Sequence, residues 1–249
     1  MELTNFLKRY YPESLIVLGG PLASSAYNIF LKHTSSDFVV LGEGELTFPS
    51  LIEIIHDDFS SFPTGIAYKS NGSVHITGST TDLVNLDSLT DLDWSIYPNL
   101  KNNTFLFSYL ISRGCNRKCS YCNPMFDKIR TKSPEKIKRE LQYLKNMYGL
   151  KSLILNDLNF LQIGSVADYC NVLRELEIKW SCFSRPEKLN PLLLKSLKEH
   201  GCVNMRFGIE SFDQNVLDTN LRDINAEDMK GTIQMAIDSG IQKITGYFI

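Results

Sequence analysis

Three cysteines directly follow an apolar stretch in the segment that decides the fold: residues 105–122 read FLFSYLISRGCNRKCSYC. The first eight of these residues are mostly aromatic and aliphatic, which predicts a buried β-strand over 105–112. Cys115, Cys119 and Cys122 come immediately afterwards. We therefore expect all three thiols on a loop at the carboxyl end of a strand.

A regular alternation of strands and helices continues from this segment. Ser133 is a helix N-cap followed by Pro134, and Gly149 is a typical C-terminal stop for the same helix. Repeated βα units predict an α/β fold whose parallel sheet curves or closes, with active groups at the carboxyl ends of its strands. The predicted strands are 105–112, 152–155, 180–183, 203–209 and 243–249, and the predicted helices are 134–148, 166–176, 191–200 and 226–239.

The residues before this alternation form two further segments. In residues 1–61, apolar runs at 14–18 and 37–41 lie between helical patterns, which predicts parallel strands of an α/β sheet. In residues 62–100, Asn71-Gly72 is a hairpin turn signal, and the acidic stretch 82–100 is predicted to be a surface linker. The predicted divisions are therefore 1–61, 62–100 and 101–249.

The cysteine spacing favours an iron–sulfur cluster. Thiolates are the soft ligands that cluster irons prefer. Three thiolates spaced four and three residues apart can bind three corners of a cubane, which leaves the fourth iron free for a small molecule. Arg113, Arg117 and Lys118 favour the deprotonated sulfurs.

Two other interpretations of these cysteines remain open. A structural zinc site usually takes four ligands, commonly from two C-x-x-C pairs, and neither a second pair nor a nearby histidine follows in the sequence. The second interpretation is three structural thiols without a metal. Cys170, Cys182 and Cys202 lie inside apolar patterns and are predicted to be ordinary buried thiols.

The pattern C-x-x-x-C-x-aromatic-C after a strand resembles the signature of the radical S-adenosylmethionine (SAM) superfamily. The resemblance implies that Cys115, Cys119 and Cys122 ligate a 4Fe–4S cluster, with Tyr121 at an aromatic position close to the SAM adenine. It implies a partial TIM-like (β/α) barrel of about five units in 101–249. It also implies an enzyme that cleaves SAM reductively to a 5′-deoxyadenosyl radical, for methyl transfer or another radical modification of an unidentified substrate.

Four more residues are assigned to SAM by the same resemblance. Asp157, in Asn-Asp-Leu-Asn-Phe, matches the position that binds the SAM amino group, and Arg185 matches the one that binds its carboxylate. Glu210 and Ser211 end a Gly-Ile-Glu-Ser segment that resembles the site of the ribose or amino-acid end. A loop or cap role for Asp157 and a surface role for Arg185 remain alternatives.

The N-terminal region resembles the last third of a cobalamin-binding, Rossmann-like (flavodoxin-like) domain. Its turns at 19–21 (Gly-Gly-Pro) and 42–45 (Gly-Glu-Gly-Glu) match that family. The family's D-x-H-x-x-G motif, which supplies the lower cobalt ligand, is absent from the sequence. Cobalamin is therefore a possible cofactor, but we do not expect this chain to bind it. Strands before Met1 and a Gly-Pro-Gly-Glu-like turn after Ile249 are missing, so both ends look cut.

The composition adds few constraints on partners. A net charge of -2 in 249 residues gives no electrostatic argument for binding nucleic acid or a membrane. The first residues contain no signal peptide pattern, which predicts a cytoplasmic protein. The resemblance implies SAM, an unidentified substrate and an electron donor such as flavodoxin or ferredoxin as partners. A non-catalytic relative (a subunit or gene fragment) and a simple metal-binding or electron-transfer module remain alternatives to the enzyme.

Overall fold

The structure is a computed structural model of the chain that describes residues 2–56, 61–78, 83–96, 107–122, 126–187 and 189–249. It contains two compact units, Met1–Leu89 and Thr90–Ile249. Within the described ranges, every helix is too short or too polar to cross a lipid bilayer.

The first unit is built on a mixed sheet in the order β1-β2-β3-β4. Strand β1 (Val17–Leu18) pairs in parallel with β2 (Phe38–Val40), as expected from the two apolar runs. Strands β3 (Ile66–Ser70) and β4 (Ser73–Ile76) continue the sheet with antiparallel pairs. The helices of this unit are α1 (Glu2–Tyr10), α2 (Pro21–Ser25), α3 (Tyr27–His33) and α4 (Gly44–His56).

The hairpin predicted at Asn71-Gly72 joins the sheet of the first unit. Both turn residues have positive φ, 49° and 78°, as the favoured two-residue hairpin turns require. Strand β3 pairs directly with β2, so the hairpin is part of the sheet of the first unit. The boundary between the two units lies after Leu89. Val84 in the predicted linker is also buried, and its N–H donates to Glu43 Oε2 over 2.8 Å.

The second unit contains a parallel sheet in the order β11-β10-β9-β8-β5, with each neighbouring pair parallel. Consecutive βα units place successive strands side by side, so the predicted α/β fold with a parallel sheet is confirmed. The elements are β5 (Phe107–Tyr109), β6 (Ser112–Arg113), β7 (Arg130–Thr131), α5 (Pro134–Tyr148), β8 (Ser152–Leu155), α6 (Val166–Glu175), β9 (Lys179–Ser184), α7 (Pro191–Glu199), β10 (Cys202–Glu210), α8 (Gln214–Thr219), α9 (Ala226–Asp238) and β11 (Lys243–Phe248).

The ends of α5 follow the sequence signals. The Ser133 side chain accepts a hydrogen bond from the N–H of Lys136, and Pro134 occupies the first turn, where its missing N–H costs nothing. Gly149 adopts the left-handed conformation with φ 69° and ends the helix. Helix α8 was not predicted, and it begins at the side-chain cap of Asp213.

The single strand predicted over 105–112 is wrong in its second half. Strand β5 ends at Tyr109, and β6 turns away to pair antiparallel with β7. The physical reason is the carboxylate of Asp157, which accepts hydrogen bonds from the Ser112 N–H and Oγ at 2.5 Å each and from the Ile111 N–H at 3.5 Å. The N–H groups of Ile111 and Ser112 are therefore bound by a side chain, whereas a longer β5 would use them for hydrogen bonds to a neighbouring strand. Residues 105 and 106 lie outside the described residues.

The core of the second unit lies between its parallel sheet and the helices. Trp180 is fully buried, packs edge-on against Phe160 with ring centroids 5.3 Å apart, and donates its indole N–H to the His200 carbonyl over 2.8 Å. Leu141 of α5 is also fully buried in this cluster.

We predict that Leu141→Ala lowers the free energy of unfolding of the second unit by about 2–5 kcal/mol, because it leaves a cavity in the buried core. Leu192→Ala is the control, since Leu192 is 81% exposed and its truncation changes the same quantity by less than about 0.5 kcal/mol. Urea unfolding followed by tryptophan fluorescence measures this unit, because Trp94 and Trp180 both lie in it. Equal destabilisation by the two substitutions would contradict the described packing.

Candidate iron–sulfur and cofactor site

The cysteine loop is closed at its base by a short antiparallel ribbon. Ser112 pairs with Thr131 and Arg113 with Arg130, so the chain leaves and returns at adjacent points. Just inside the ribbon, the Cys115 N–H donates to the Phe126 carbonyl over 3.1 Å. The ribbon therefore fixes the start of the loop independently of any bound group.

Gly114, directly before the first cysteine, has no room for a side chain. Its φ is +93°, in a region that L-residues rarely adopt. A Cβ at this position would lie 2.2 Å from the carbonyl oxygen of Lys128. The turn into the first cysteine therefore requires glycine.

The three cysteines predicted to act together line one cavity of about 210 Å³ in the second unit. Cys119 is buried at 8% exposure, Cys115 is half-buried and Cys122 is exposed. A hydrogen bond of 3.0 Å from the Cys122 N–H to the Cys119 carbonyl closes a tight turn between the last two. The cavity is also lined by Arg117, Tyr121, Leu158, Asn159, Phe183, Ser184, Arg185, Arg206, Gly208, Glu210, Arg222 and Tyr247.

These lining residues come from the carboxyl ends of neighbouring strands. Leu158 and Asn159 follow β8, Arg185 follows β9, and Glu210 is the last residue of β10. In parallel α/β folds this edge of the sheet is where ligands bind. The cavity therefore occupies the position that the strand–helix alternation predicted.

Cationic side chains contact Cys119, the most buried of the three thiols that line the cavity. Arg185 NH1 lies 3.3 Å from Cys119 Sγ, and Arg222 NH1 lies 3.9 Å from the same sulfur. Both guanidinium groups therefore offer positive charge and N–H donors beside this sulfur. Of the cations predicted beside the cysteines, Arg117 lines the cavity, whereas Lys118 is exposed.

The outer two thiols have different surroundings. Cys115 Sγ lies 3.6 Å from Gln162 Oε1. Burial raises the pKa of the Cys122 thiol, and the neighbouring Cys119 and Cys115 raise it further. The three sulfurs are therefore close enough to interact electrostatically, and ionising all of them together requires a compensating positive charge.

Among the described residues, no three His, Cys, Asp or Glu side chains are grouped to ligate one common metal ion. A cubane distributes its ligands over separate irons, so each thiolate must reach a different corner. The donor set that fits such a cluster is three thiols around a shared cavity with nearby cations. That donor set is present here.

Tyr121 lies at the cavity wall between the last two cysteines. Its side chain is 42% exposed. Burial raises the pKa of the Tyr121 phenol above its ordinary value, Cys119 and Glu210 raise it further, and Arg222 acts in the opposite direction. The phenol therefore stays protonated at neutral pH and can donate a hydrogen bond.

Asp157 lies beside the start of the cysteine loop. It is 1% exposed, and its carboxylate is occupied by the backbone of residues 111–112 and by the Ser112 hydroxyl. Burial raises the pKa of this carboxyl group despite those hydrogen bonds. The wall next to it is formed by Leu158 and Asn159, and Asp157 is not among the residues that line the cavity.

Arg185 lies in the cavity wall and is 7% exposed. Its Nε donates to Glu187 Oε1 over 2.6 Å, and its NH2 forms an ion pair with the same carboxylate. Burial acts to lower the pKa of Arg185, but Glu187 and Cys119 outweigh it, so the pKa is raised. This guanidinium is therefore shared between a carboxylate and a thiol.

At the end of β10, Glu210 lines the cavity and Ser211 does not. Glu210 lines the cavity and has a φ of +64°, an uncommon conformation for a residue with a side chain. Such backbone conformations are frequent at functional sites. Ser211 is half-buried, its hydroxyl accepts from the Asp213 N–H over 3.0 Å, and it does not line the cavity.

Several lining residues were missed by the sequence interpretation. Arg206 and Glu210 share one face of β10, so the two-residue period of the strand could have identified Arg206. Phe183 and Tyr247 lie on β9 and β11, the two strands that flank β10, and their ring centroids are 5.7 Å apart. Arg222 lies in a polar segment after α8, where no periodicity marks it.

Comparison with known proteins identifies the family. The model of the radical SAM superfamily matches residues 109–249, more than half of the chain. An uncharacterized methyltransferase of Pyrococcus horikoshii is 27% identical over 245 residues, covering 94% of this chain and 53% of the relative. The anaerobic magnesium-protoporphyrin IX monomethyl ester cyclase of Rubrivivax gelatinosus is 28% identical over 257 residues, covering 94% of this chain and 45% of that enzyme.

Solved structures show the same fold. The cobalamin-dependent S-adenosylmethionine radical enzyme OxsB has a TM-score of 0.80 at 20% identity, covering 98% of this chain and 38% of OxsB. The radical S-adenosylmethionine methyltransferase TsrM from Kitasatospora setae has a TM-score of 0.74 at 16% identity, covering 98% of this chain and 53% of TsrM. The chain spans about half the length of the curated relatives it matches. The cysteine pattern, the parallel sheet and the family match agree, and the chain belongs to the radical SAM superfamily.

Proposed function

We propose that Cys115, Cys119 and Cys122 each ligate one iron of a 4Fe–4S cluster and that SAM binds the remaining iron. The observation that supports this most directly is that all three thiols line one cavity at the carboxyl ends of the parallel strands. The family's general reaction is the reductive cleavage of SAM, in which the bound cluster supplies an electron and a 5′-deoxyadenosyl radical results.

The residues of this chain would bind and orient SAM in that cavity. Tyr121, Arg185 and Glu210 line it together with the cysteines, and we propose that they contact SAM. The carboxylate of Glu210 is suited to the SAM amino group or ribose hydroxyls, and the protonated phenol of Tyr121 is suited to an acceptor.

We propose that Asp157 and Ser211 lie further from SAM than the residues that line the cavity. The carboxylate of Asp157 stabilises the start of the cysteine loop, and a direct contact with the SAM amino group would require it to release Ser112. Ser211 would reach the ligand only through a change of its contact with Asp213. Both residues are therefore proposed to support the site rather than to line it.

Methyl transfer is the final reaction that the relatives favour. Proteins named as methyltransferases are similar to this chain, among them the relative from Pyrococcus horikoshii and a cytidylyl-2-hydroxyethylphosphonate methyltransferase of Streptomyces wedmorensis. We propose a radical methyl transfer to an unidentified substrate. One SAM is cleaved to methionine and the 5′-deoxyadenosyl radical, which takes a hydrogen atom from the substrate, and a second SAM supplies the methyl group and leaves as S-adenosylhomocysteine. An external donor such as flavodoxin or ferredoxin would supply the two electrons, one for each SAM. Because the sequence lacks D-x-H-x-x-G, any cobalamin bound by this chain would be held without the histidine of that motif.

A non-catalytic relative that keeps the cluster but does not cleave SAM is the second candidate. The chain covers 53% and 45% of two relatives that are named as enzymes, and this candidate assigns SAM cleavage to the longer proteins alone. A cluster without SAM cleavage would favour this candidate. Formation of 5′-deoxyadenosine by the reduced chain would favour the enzyme.

We predict that the chain, reconstituted with iron and sulfide without oxygen, binds about four irons and cleaves SAM, because three thiolates complete a cubane with one free corner. Cys119→Ala should lose the cluster absorbance and the 5′-deoxyadenosine that chromatography detects. Cys170→Ala is the control, because Cys170 lies in the core at 2% exposure and burial raises the pKa of its thiol to about 12.

The two variants separate the possible outcomes. A full cluster signal in Cys119→Ala would remove this residue as a ligand. Loss of the cluster in both variants would show that the effect comes from unfolding rather than from the ligand. A parent chain that binds one zinc ion and no iron would overturn the proposed function.

We also predict that Gly114→Ala reduces cluster loading at least about tenfold, because the new Cβ would collide with the Lys128 carbonyl and displace the start of the cysteine loop. Gly231→Ala is the matched control, since a Cβ there meets no atom within 4 Å. Iron and acid-labile sulfide are measured on both variants. Normal loading in Gly114→Ala would contradict the described loop.

A further inference from the structure

The turn that follows α8 contacts the cysteine loop at successive positions. The Ser120 N–H donates to the Asn220 carbonyl over 3.2 Å, and the Ser120 hydroxyl donates to Asn220 Oδ1 over 2.8 Å. Three residues further along each segment, Arg117 Nη1 lies 3.6 Å from Asp223 Oδ2. These contacts join two segments that are about a hundred residues apart in the sequence. Arg222 lies between them in the same turn.

The guanidinium of Arg222 is fixed between a strand and a cysteine. The side chain is 5% exposed, and its NH2 donates to the Gly208 carbonyl on β10 over 2.5 Å. Its NH1 lies 3.9 Å from Cys119 Sγ. Its Nε is buried and has no hydrogen-bond partner in the described part of the chain. A donor is therefore held next to the cavity with bonding capacity that the protein does not use.

The backbone of this turn leaves Arg222 little freedom. The Arg222 N–H donates to the carbonyl of Leu217 over 2.9 Å, and the Leu221 N–H donates to the Asp218 carbonyl over 3.0 Å. The Leu217 side chain is fully buried in the core. Leu221 has a positive φ of 53°, which turns the chain sharply before the arginine. The position of the guanidinium is thus set by the fold rather than by the thiol.

We propose that Arg222 is a positioning residue that donates hydrogen bonds to the Cys119 thiolate and the adjoining cluster face, and thereby raises the reduction potential of the cluster. This inference rests on the proposed function, because it requires a cluster bound to Cys119. Adding one electron makes the cluster more negative without forming or breaking a bond. A buried cation and N–H donors at a cluster sulfur stabilise that reduced state more than the oxidised state.

Arg185 also contacts Cys119, but its charge is largely balanced within the protein. Its Nε donates to the Glu187 carboxylate, and its Nη2 lies within ion-pair distance of the same group. Arg222 has no carboxylate within ion-pair distance among the described residues, and its NH2 contacts a neutral carbonyl. Of the two guanidinium groups at Cys119, that of Arg222 is the one without an ion pair among the described residues, although the Glu210 carboxylate lines the same cavity.

The test is a redox titration of the reconstituted chain, with the reduced cluster measured by electron paramagnetic resonance. In Arg222→Met, we expect the ratio of reduced to oxidised cluster at a fixed solution potential to fall about tenfold, equal to about 59 mV for a one-electron couple. Arg206→Met removes the same charge from the same cavity, where the guanidinium stacks on Phe183 at 5.2 Å. We expect less than about a threefold change in that variant.

Each outcome decides the inference. An unchanged potential in Arg222→Met, or equal shifts in both variants, would overturn it. If Arg222→Met fails to assemble a cluster, Arg222→Lys is measured, which keeps the charge but loses the planar set of donors. A reduction potential of Arg222→Lys that is lower than that of the parent chain, by less than about 59 mV, supports the proposal. A potential of Arg222→Lys identical to that of the parent chain contradicts it. A parent chain that assembles no cluster would overturn the proposed function as well, so the two failures are distinguishable.

Discussion

Mutual repulsion between thiolates is the physical constraint on which the proposed site depends. Three cysteine sulfurs surround one cavity, and the most buried of them is 8% exposed. Negative charges gathered in such a place are costly unless cations or metal ions compensate them. Guanidinium groups from two distant segments contact Cys119, and iron would supply the remaining positive charge. The chemistry of the site therefore follows from the arrangement of its charges.

The fold supplies that arrangement in two ways. Parallel strands with helices between them bring the residues that follow β8, β9 and β10 to a common edge. The ribbon of β6 and β7 then fixes the start of the cysteine loop, together with the buried carboxylate of Asp157 and the sharp turn at Gly114. The start of the loop is thus held by contacts that do not involve the cysteine side chains.

The sequence predicted the parts of this structure that depend on local patterns. The capped helix α5, the hairpin at Asn71-Gly72 and the parallel order of the second sheet all follow from periodicity, turn residues and the βα rule. The position of Cys119 in a cavity at the strand ends follows from the same pattern. The cap and the hairpin were predictable because each depends on residues close together in the chain. The parallel sheet was predictable because short βα connections place successive strands side by side.

The features that were missed depend on contacts between distant residues. Asp157 ends the first strand by binding Ser112, which lies 45 residues away. Arg222 reaches Cys119 across 103 residues, and no local pattern indicates such a contact. The same limit applies to the burial of Val84, whose N–H binds a glutamate 41 residues earlier. Only the folded chain shows which polar side chain a given backbone group meets.

The claim that one corner of the cluster is open to SAM is tested most directly by spectroscopy. The electron paramagnetic resonance spectrum of the reduced, reconstituted chain is recorded without and with SAM. Binding of SAM to an iron without a protein ligand should change the g values, because the coordination of that iron changes. A spectrum of a 4Fe–4S cluster that saturating SAM leaves unchanged would contradict the account.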